Sequence, residues 1–161
     1  MFVRTGDERD LAAVSRLIVQ TAHAAFDALY GAEAVENFCA ARFSIDQLTR
    51  SVRRERSEFL VADDGETLGG LAYGAAAGDD ARIVDLDMLI VRPDLQGRGI
   101  GGMLLEEFES SFFESELVRM DLDEKNTRAV RFYTDAGFVE IGRKDGTNLP
   151  AVILTMQKSL V

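Results

Sequence analysis

Four glycines crowd the last six positions of Val91-Arg92-Pro93-Asp94-Leu95-Gln96-Gly97-Arg98-Gly99-Ile100-Gly101-Gly102, a run that joins an apolar stretch to a helical pattern. Without a Cβ the backbone turns sharply and approaches a ligand closely, and the first free N–H groups of a following helix point outward at its positive end. Such a loop suits a phosphate group. An ordinary flexible strand-to-helix loop is the plainer reading, and it leaves the glycine count unexplained.

The same letters satisfy the dinucleotide pattern G-x-G-x-x-G at Gly97, Gly99 and Gly102, with Asp121 roughly 20 residues further on. In a dinucleotide fold the strand runs almost straight into the first glycine, whereas here Arg92 to Gln96, proline included, interpose. Too little chain also follows Gly102 to complete a doubly wound sheet.

Gln96-Gly97-Arg98-Gly99-Ile100-Gly101 matches the Q/R-x-x-G-x-G/A signature of the GNAT superfamily of N-acetyltransferases. Downstream, Asn126-Thr127-Arg128-Ala129-Val130-Arg131-Phe132-Tyr133-Thr134-Asp135-Ala136-Gly137-Phe138 resembles the N-x-x-A-x-x-F-Y-x-x-x-G-F element that follows it in that family. The two occur in the family's order, and the order of strands and helices is similar over nearly the whole chain. The region Thr21 to Arg56 matches no pattern.

This resemblance implies an α+β fold, a mixed, mostly antiparallel sheet flanked by helices, whose fourth and fifth strands splay apart to admit acetyl-CoA. The fourth strand would be Arg82 to Val91. Backbone groups along Leu89, Ile90 and Val91, those of Leu89 and Val91 foremost, would pair with the pantetheine arm as a pseudo-strand. The N–H groups of Gln96, Gly97, Arg98, Gly99, Ile100, Gly101 and Gly102 would hold the pyrophosphate. Asn126 would hydrogen-bond the arm, and it can cap a helix at the same time because its amide oxygen and NH2 serve separate partners.

Tyr133 is the catalytic residue the resemblance implies, placed near the thioester sulfur as general acid. A free tyrosine titrates near 10 and a thiol near 8.5, so full donation to a thiolate is uphill by about 2 kcal/mol and hydrogen bonding to the sulfur matters as much. Phe132 fits better than Tyr133 as a plain core aromatic, since a buried hydroxyl needs a partner. The attacking amine, of pKa ~10.4 as ammonium, must lose its proton. Asp85 aligns with the acid used as base in several family members; Asp87, two residues on along the same face, and a water chain are the alternatives. The expected activity is acetyl-CoA-dependent N-acetyl transfer to a primary amine of a small molecule or peptide N terminus, by direct attack, with a backbone N–H near Leu89 holding the carbonyl oxygen. A non-catalytic acyl-CoA-binding module and a dinucleotide-binding protein are the competing readings.

The elements that position these groups follow from periodicity. Phe2 to Thr5 alternates like a strand, and Thr5 or Asp7 can cap a helix with Leu11, Val14, Leu17 and Ile18 inward. Thr21 to Arg56 stays helical with an interruption at Gly31, giving two or three helices in all before the central strands. Glu58 to Asp63 and Thr67 to Ala75 form a hairpin turning at Asp64-Gly65, and Gly78-Asp79-Asp80 supplies another turn. The apolar end of Arg82 to Val91 suits a strand covered on both faces. Ile100 to Phe113 is a helix, Leu117 to Leu122 a strand and Asn126 to Asp135 a helix. Phe138 to Ile141 and Ala151 to Met156 are the last strands, separated by a turn near Asp145-Gly146.

With 161 residues, 47% of them hydrophobic, and two prolines, the chain reads as one packed domain spanning 1–161. The formal net charge of -10 makes nucleic acid an unfavourable partner. The acidity reads either as attraction for a cationic substrate or as solvation suited to high salt. Only Lys125, Lys144 and Lys158 accompany the arginines. The uncharged runs Leu17 to Phe26 and Leu68 to Gly78 are about half the ~20 residues of a membrane span, and Met1 to Asp10 does not resemble a signal peptide, so a soluble cytoplasmic protein is expected. A lone Cys39 allows no intrachain disulfide and reads as a small apolar side chain; His23 reads as packed or partly exposed and not as a base; no metal site is expected. A homodimer stays open.

Overall fold

The computed structural model describes residues 1–78 and 80–161, so the central residue of the turn expected at Gly78-Asp79-Asp80 lies outside the described residues. The chain runs β1 (Phe2–Thr5), a one-turn 3-10 helix (Glu8–Asp10), α1 (Leu11–Tyr30), α2 (Ala32–Arg42), α3 (Ile45–Val52), β2 (Ser57–Asp63), β3 (Leu68–Ala77) and β4 (Asp80–Val91). After a second 3-10 turn (Pro93–Leu95) come α4 (Ile100–Ser111), β5 (Leu117–Asp123), α5 (Thr127–Asp135), β6 (Val139–Asp145) and β7 (Val152–Ser159). All seven strands join one sheet in the order β1-β2-β3-β4-β5-β7-β6. Every neighbouring pair is antiparallel except β4 and β5. One parallel pair in such a sheet is the reverse of a doubly wound dinucleotide fold, which removes that reading.

Local chemistry sets the helix starts. Asp7 accepts from Arg9 N–H while Asp10 returns a bond to the Asp7 N–H, and Ser44 with Gln47 forms the same reciprocal box at the head of α3. The break foreseen at Gly31 divides α1 from α2, with Gly31 at φ 86°. Among the described residues, no helix is long and apolar enough to cross a membrane.

The sheet carries a core on each face. Val84, Leu86, Leu104, Phe108, Val118 and Phe138 belong to the cluster on the α4 and α5 side, and Leu11, Val14, Leu17, Leu48, Val61 and Leu71 to the one on the α1 and α3 side. Gly69 through Ala76 of β3 are all buried, which is why that strand reads as unbroken small and apolar residues.

The register of β3 on β4 shifts twice, between Ala76 and Ala77 near the turn and between Tyr73 and Gly74 in mid-strand, and the second matters for the site. Tyr73 pairs with Met88 and Gly74 with Leu86, so Asp87 is an extra residue opposite no partner, a β-bulge. A Cβ on Gly74 would stand 2.2 Å from the Asp85 carbonyl oxygen and 2.5 Å from the Phe108 ring. Gly74→Ala is expected to cost about 3 kcal/mol by overpacking, a fall of roughly 6–12 °C in Tm by calorimetry; an unchanged Tm would show that the bulge is soft.

Candidate active site

Among the described residues β4 pairs with β5 at Ile83–Leu117, Val84–Val118 and Asp85–Arg119, and at none beyond Asp85. Beyond Asp85 the two parallel strands part, opening a wedge toward their C-terminal ends. The Arg92 N–H donates to the Gly69 carbonyl at 2.8 Å. Alternation along an antiparallel pair then turns the backbone groups of Ile90 and Met88 toward β3 and those of Leu89 and Val91 into the wedge. Gln96 Nε2 donates to the Val91 carbonyl at 3.0 Å, as that orientation requires. Ile90, its backbone turned to β3 and its side chain packed with the α1-side cluster, offers the wedge no polar group.

At the mouth of the wedge α4 begins. Gly99 is its N-cap at φ 86°, ψ 2°, the left-handed region that favours glycine, and no side chain caps the helix. The N–H groups of Gly97, Arg98, Gly99, Ile100, Gly101 and Gly102 have no acceptor among the described residues, and the first bond onto the helix is Met103 N–H to Gly99 O at 3.1 Å. The Gln96 N–H, by contrast, points to the Pro93 carbonyl at 3.5 Å, so the cradle of free donors starts at Gly97. Gly101 lets α5 come close, because a Cβ there would lie 3.4 Å from Phe132.

The bulge decides what each side of the wedge sees. Val84 and Leu86 pack with the α4-side cluster, and so do Leu89 and Val91. The extra residue therefore shifts the alternation by one: Asp85 and Asp87 share the α1 side, as the two-residue spacing predicts, while Leu89 and Val91 lie on the other. On β5 the buried Val118, Met120 and Leu122 face α4, leaving Arg119, Asp121 and Asp123 on the α1 side. Arg119 Nε donates to Gln157 at 2.9 Å, and Asp121 accepts from Lys144 Nζ and Thr155 Oγ1, both at 2.7 Å.

Asp85 and Asp87 make no hydrogen bond or ion pair with a described residue. Burial raises Asp85, against the opposing pull of Arg119 and Arg54. Asp87 is pushed up to about 6, by burial first and by the Asp85 charge second. Asp87 is nonetheless exposed, so water reaches its carboxylate directly.

Asn126 caps α5 through Oδ1, which accepts from Ala129 N–H at 3.3 Å, and its NH2 bonds no described residue. Tyr133, 5% exposed, packs edge-on to Phe132 and Phe138 with ring centroids 5.1 and 5.3 Å away. Its hydroxyl bonds no described residue, and burial pushes the phenol well above its ordinary value. His23 lies between Asp27 and Glu36, 2.6 and 2.8 Å from its two ring nitrogens, which ties α1 to α2. Cys39 is buried on α2, its thiol pushed up by burial and by the nearby Glu36 and Asp27 charges.

One residue of the cradle escapes the sequence patterns. Arg128 Nη2 lies 3.4 Å from where a Gly97 Cβ would stand, so its guanidinium rests on the glycine loop. Its place in the first turn of α5 was visible; the approach of that turn to Gly97 was not.

A family model described as an acetyltransferase (GNAT) domain matches residues 26–160. The peptidyl-lysine N-acetyltransferase YjaB of Salmonella typhimurium is 36% identical over 64 residues, 40% of this chain, and the match spans only 42% of that relative's length. Among solved structures, the PaiA N-acetyltransferase of Thermoplasma acidophilum, in complex with coenzyme A, superposes with a TM-score of 0.85 over 98% of both chains at 21% identity. The ribosomal-protein-alanine N-acetyltransferase of Brucella melitensis superposes with a TM-score of 0.75 at 22% identity, over 99% of this chain and 100% of that one. At such identities these two structures speak for the fold.

Proposed function

Because the chain belongs to the acetyltransferase (GNAT) family, we propose that it transfers the acetyl group of acetyl-CoA to a primary amine of a small molecule or peptide, by direct attack. The observation that carries this reading is the wedge: the free backbone edge of β4 turned inward at Leu89 and Val91, continued by the free N–H groups of Gly97 to Gly102. An extended amide-bearing arm fits the first and a pyrophosphate the second. Arg98 and Arg128 add positive charge to the phosphate end, and the free NH2 of Asn126 reaches for the arm.

Acetyl-CoA, when bound, supplies an acetyl group activated as a thioester. The chain's own groups do the rest. The Leu89 N–H holds the carbonyl oxygen, in the manner of an oxyanion donor. Tyr133 donates a hydrogen bond toward the sulfur. Asp87, with Asp85 beside it, receives the ammonium proton of the acceptor, directly or through water. Asp87 is favoured over Asp85 because the bulge sets it where the strands have already parted, whereas Asp85 still pairs with Arg119. Its raised pKa matters: a carboxylate near its ordinary ~3.9 is a weaker base than one held near 6.

Calorimetric titration and thermal shift test the assignment. Acetyl-CoA is expected to raise Tm, and NAD to leave it unchanged. Gly99→Val, which forces a β-branched residue into the left-handed region and fills the cradle, is expected to weaken acetyl-CoA binding roughly tenfold or more. Stabilisation by NAD and not by acetyl-CoA would overturn the reading. Binding without thiol release across a panel of amines would leave a non-catalytic acyl-CoA module.

A further inference from the structure

Across the mouth of the wedge runs one side-chain bond. α1 starts where β1 ends and runs back across the sheet, so its last residue arrives where β4 and β5 finish. There Tyr30 Oη donates to Asp123 Oδ2 at 2.5 Å. Asp123, the last residue of β5, is 8% exposed and faces the α1 side. Its remaining oxygens shape the turn that follows: Oδ1 accepts from Lys125 N–H at 2.9 Å and its carbonyl from Asn126 N–H at 3.0 Å. The Lys125 ammonium lies 5.6 Å from the centre of the Tyr30 ring. Among the described residues this is the one side-chain hydrogen bond between segments 1–91 and 117–161.

Taking the acetyl-CoA reading as its basis, we propose that Tyr30 is a positioning residue for the cofactor arm: through Asp123 it fixes the turn that presents Asn126 and holds the open ends of β4 and β5 at their working separation. The strap joins the α1 wall of the acceptor side to the residue that meets the arm. Burial and the Asp123 carboxylate push the Tyr30 phenol up to about 12, so it remains a donor at every pH at which the protein would be assayed. Without the strap, β5 is free to drift from β4 beyond Asp85, and Asn126 loses its fixed aim.

Coenzyme A titrated by calorimetry into wild type, Tyr30→Phe, Asp123→Asn and His23→Gln decides the matter. Tyr30→Phe is expected to keep Tm within a few degrees and to weaken coenzyme A binding about tenfold, the loss of a hydrogen bond to a charged group. The KM for acetyl-CoA should rise with it, more than kcat falls. Asp123→Asn keeps an oxygen for Lys125 N–H and presents an NH2 to the Tyr30 oxygen, so part of the binding should return. His23→Gln, which loosens α1 from α2 away from the strap, should bind as wild type does. Tyr30→Phe binding within twofold of wild type, or an equal loss in His23→Gln, overturns the positioning role. No binding by wild type overturns the acetyl-CoA reading itself, and the strap with it.

Discussion

Tyr133→Phe is expected to lower kcat about 10²-fold, the lower end of what a positioned proton donor contributes, while acetyl-CoA binds nearly as before. The ring stays wedged between Phe132 and Phe138, so packing is kept. The hydroxyl makes no bond to a described residue, so its removal leaves no protein group unsatisfied and Tm should hold or rise slightly. Burial keeps the phenol protonated, which widens the gap between its pKa and that of a thiol and favours hydrogen bonding over full transfer as its contribution. That is why the lower end is expected. Single-turnover kinetics, in which chemistry is isolated from product release, provide the measurement, and an unchanged rate there would remove Tyr133 from the mechanism.

Asp87→Asn is expected to lower kcat/KM by roughly 10²-fold at pH 7.5 and to erase the acidic limb of its pH profile. The base works deprotonated, so wild-type activity should climb as pH rises through about 6 and level off above it. Stability moves the other way. An acid whose folded pKa lies above its unfolded value makes the fold less stable as pH rises through that interval, so the neutral amide should melt higher than wild type at pH 7.5 and equally near pH 3. Loss of activity joined to a gain in Tm separates a strained functional carboxylate from a structural one. A variant that keeps the limb near pH 6 would hand the role to Asp85 or to water.

Much of this was legible in the chain. The two motifs fixed α4 and α5 with their flanking strands, because glycine and a capping asparagine act locally, and the wedge followed from the family they resemble. Edges were less legible. α4 ends at Ser111 and not at Phe113, since Phe112 takes φ −115°, ψ 52° and leaves the helix. β6 extends to Asp145 although all seven of its residues are exposed, held by pairing with β7 and not by burial, which apolar alternation cannot reveal. The bulge at Asp87 was invisible for a deeper reason: it is a property of how β4 meets β3, and Gly74, whose missing side chain permits it, lies in a different strand. Tyr30 with Asp123 and Arg128 with Gly97 are likewise meetings between distant segments, with no local pattern to announce them.

β1 to β4 are successive antiparallel neighbours in the sheet, β2 to β4 joined by short turns, whereas β5 reaches β4 only after α4 has been laid across the sheet, and then holds it, among the described residues, by three residue pairs. Closing that longer loop brings few rungs in return, so the seam is the last part of the sheet to assemble and the first to breathe. A chain with only its first four strands folded would own the glycine cradle and one wall of the wedge, but not the other. Any ligand that lies between the walls acts as the rung the sheet omits, and through mass action its concentration sets how much of the time the two halves stay joined.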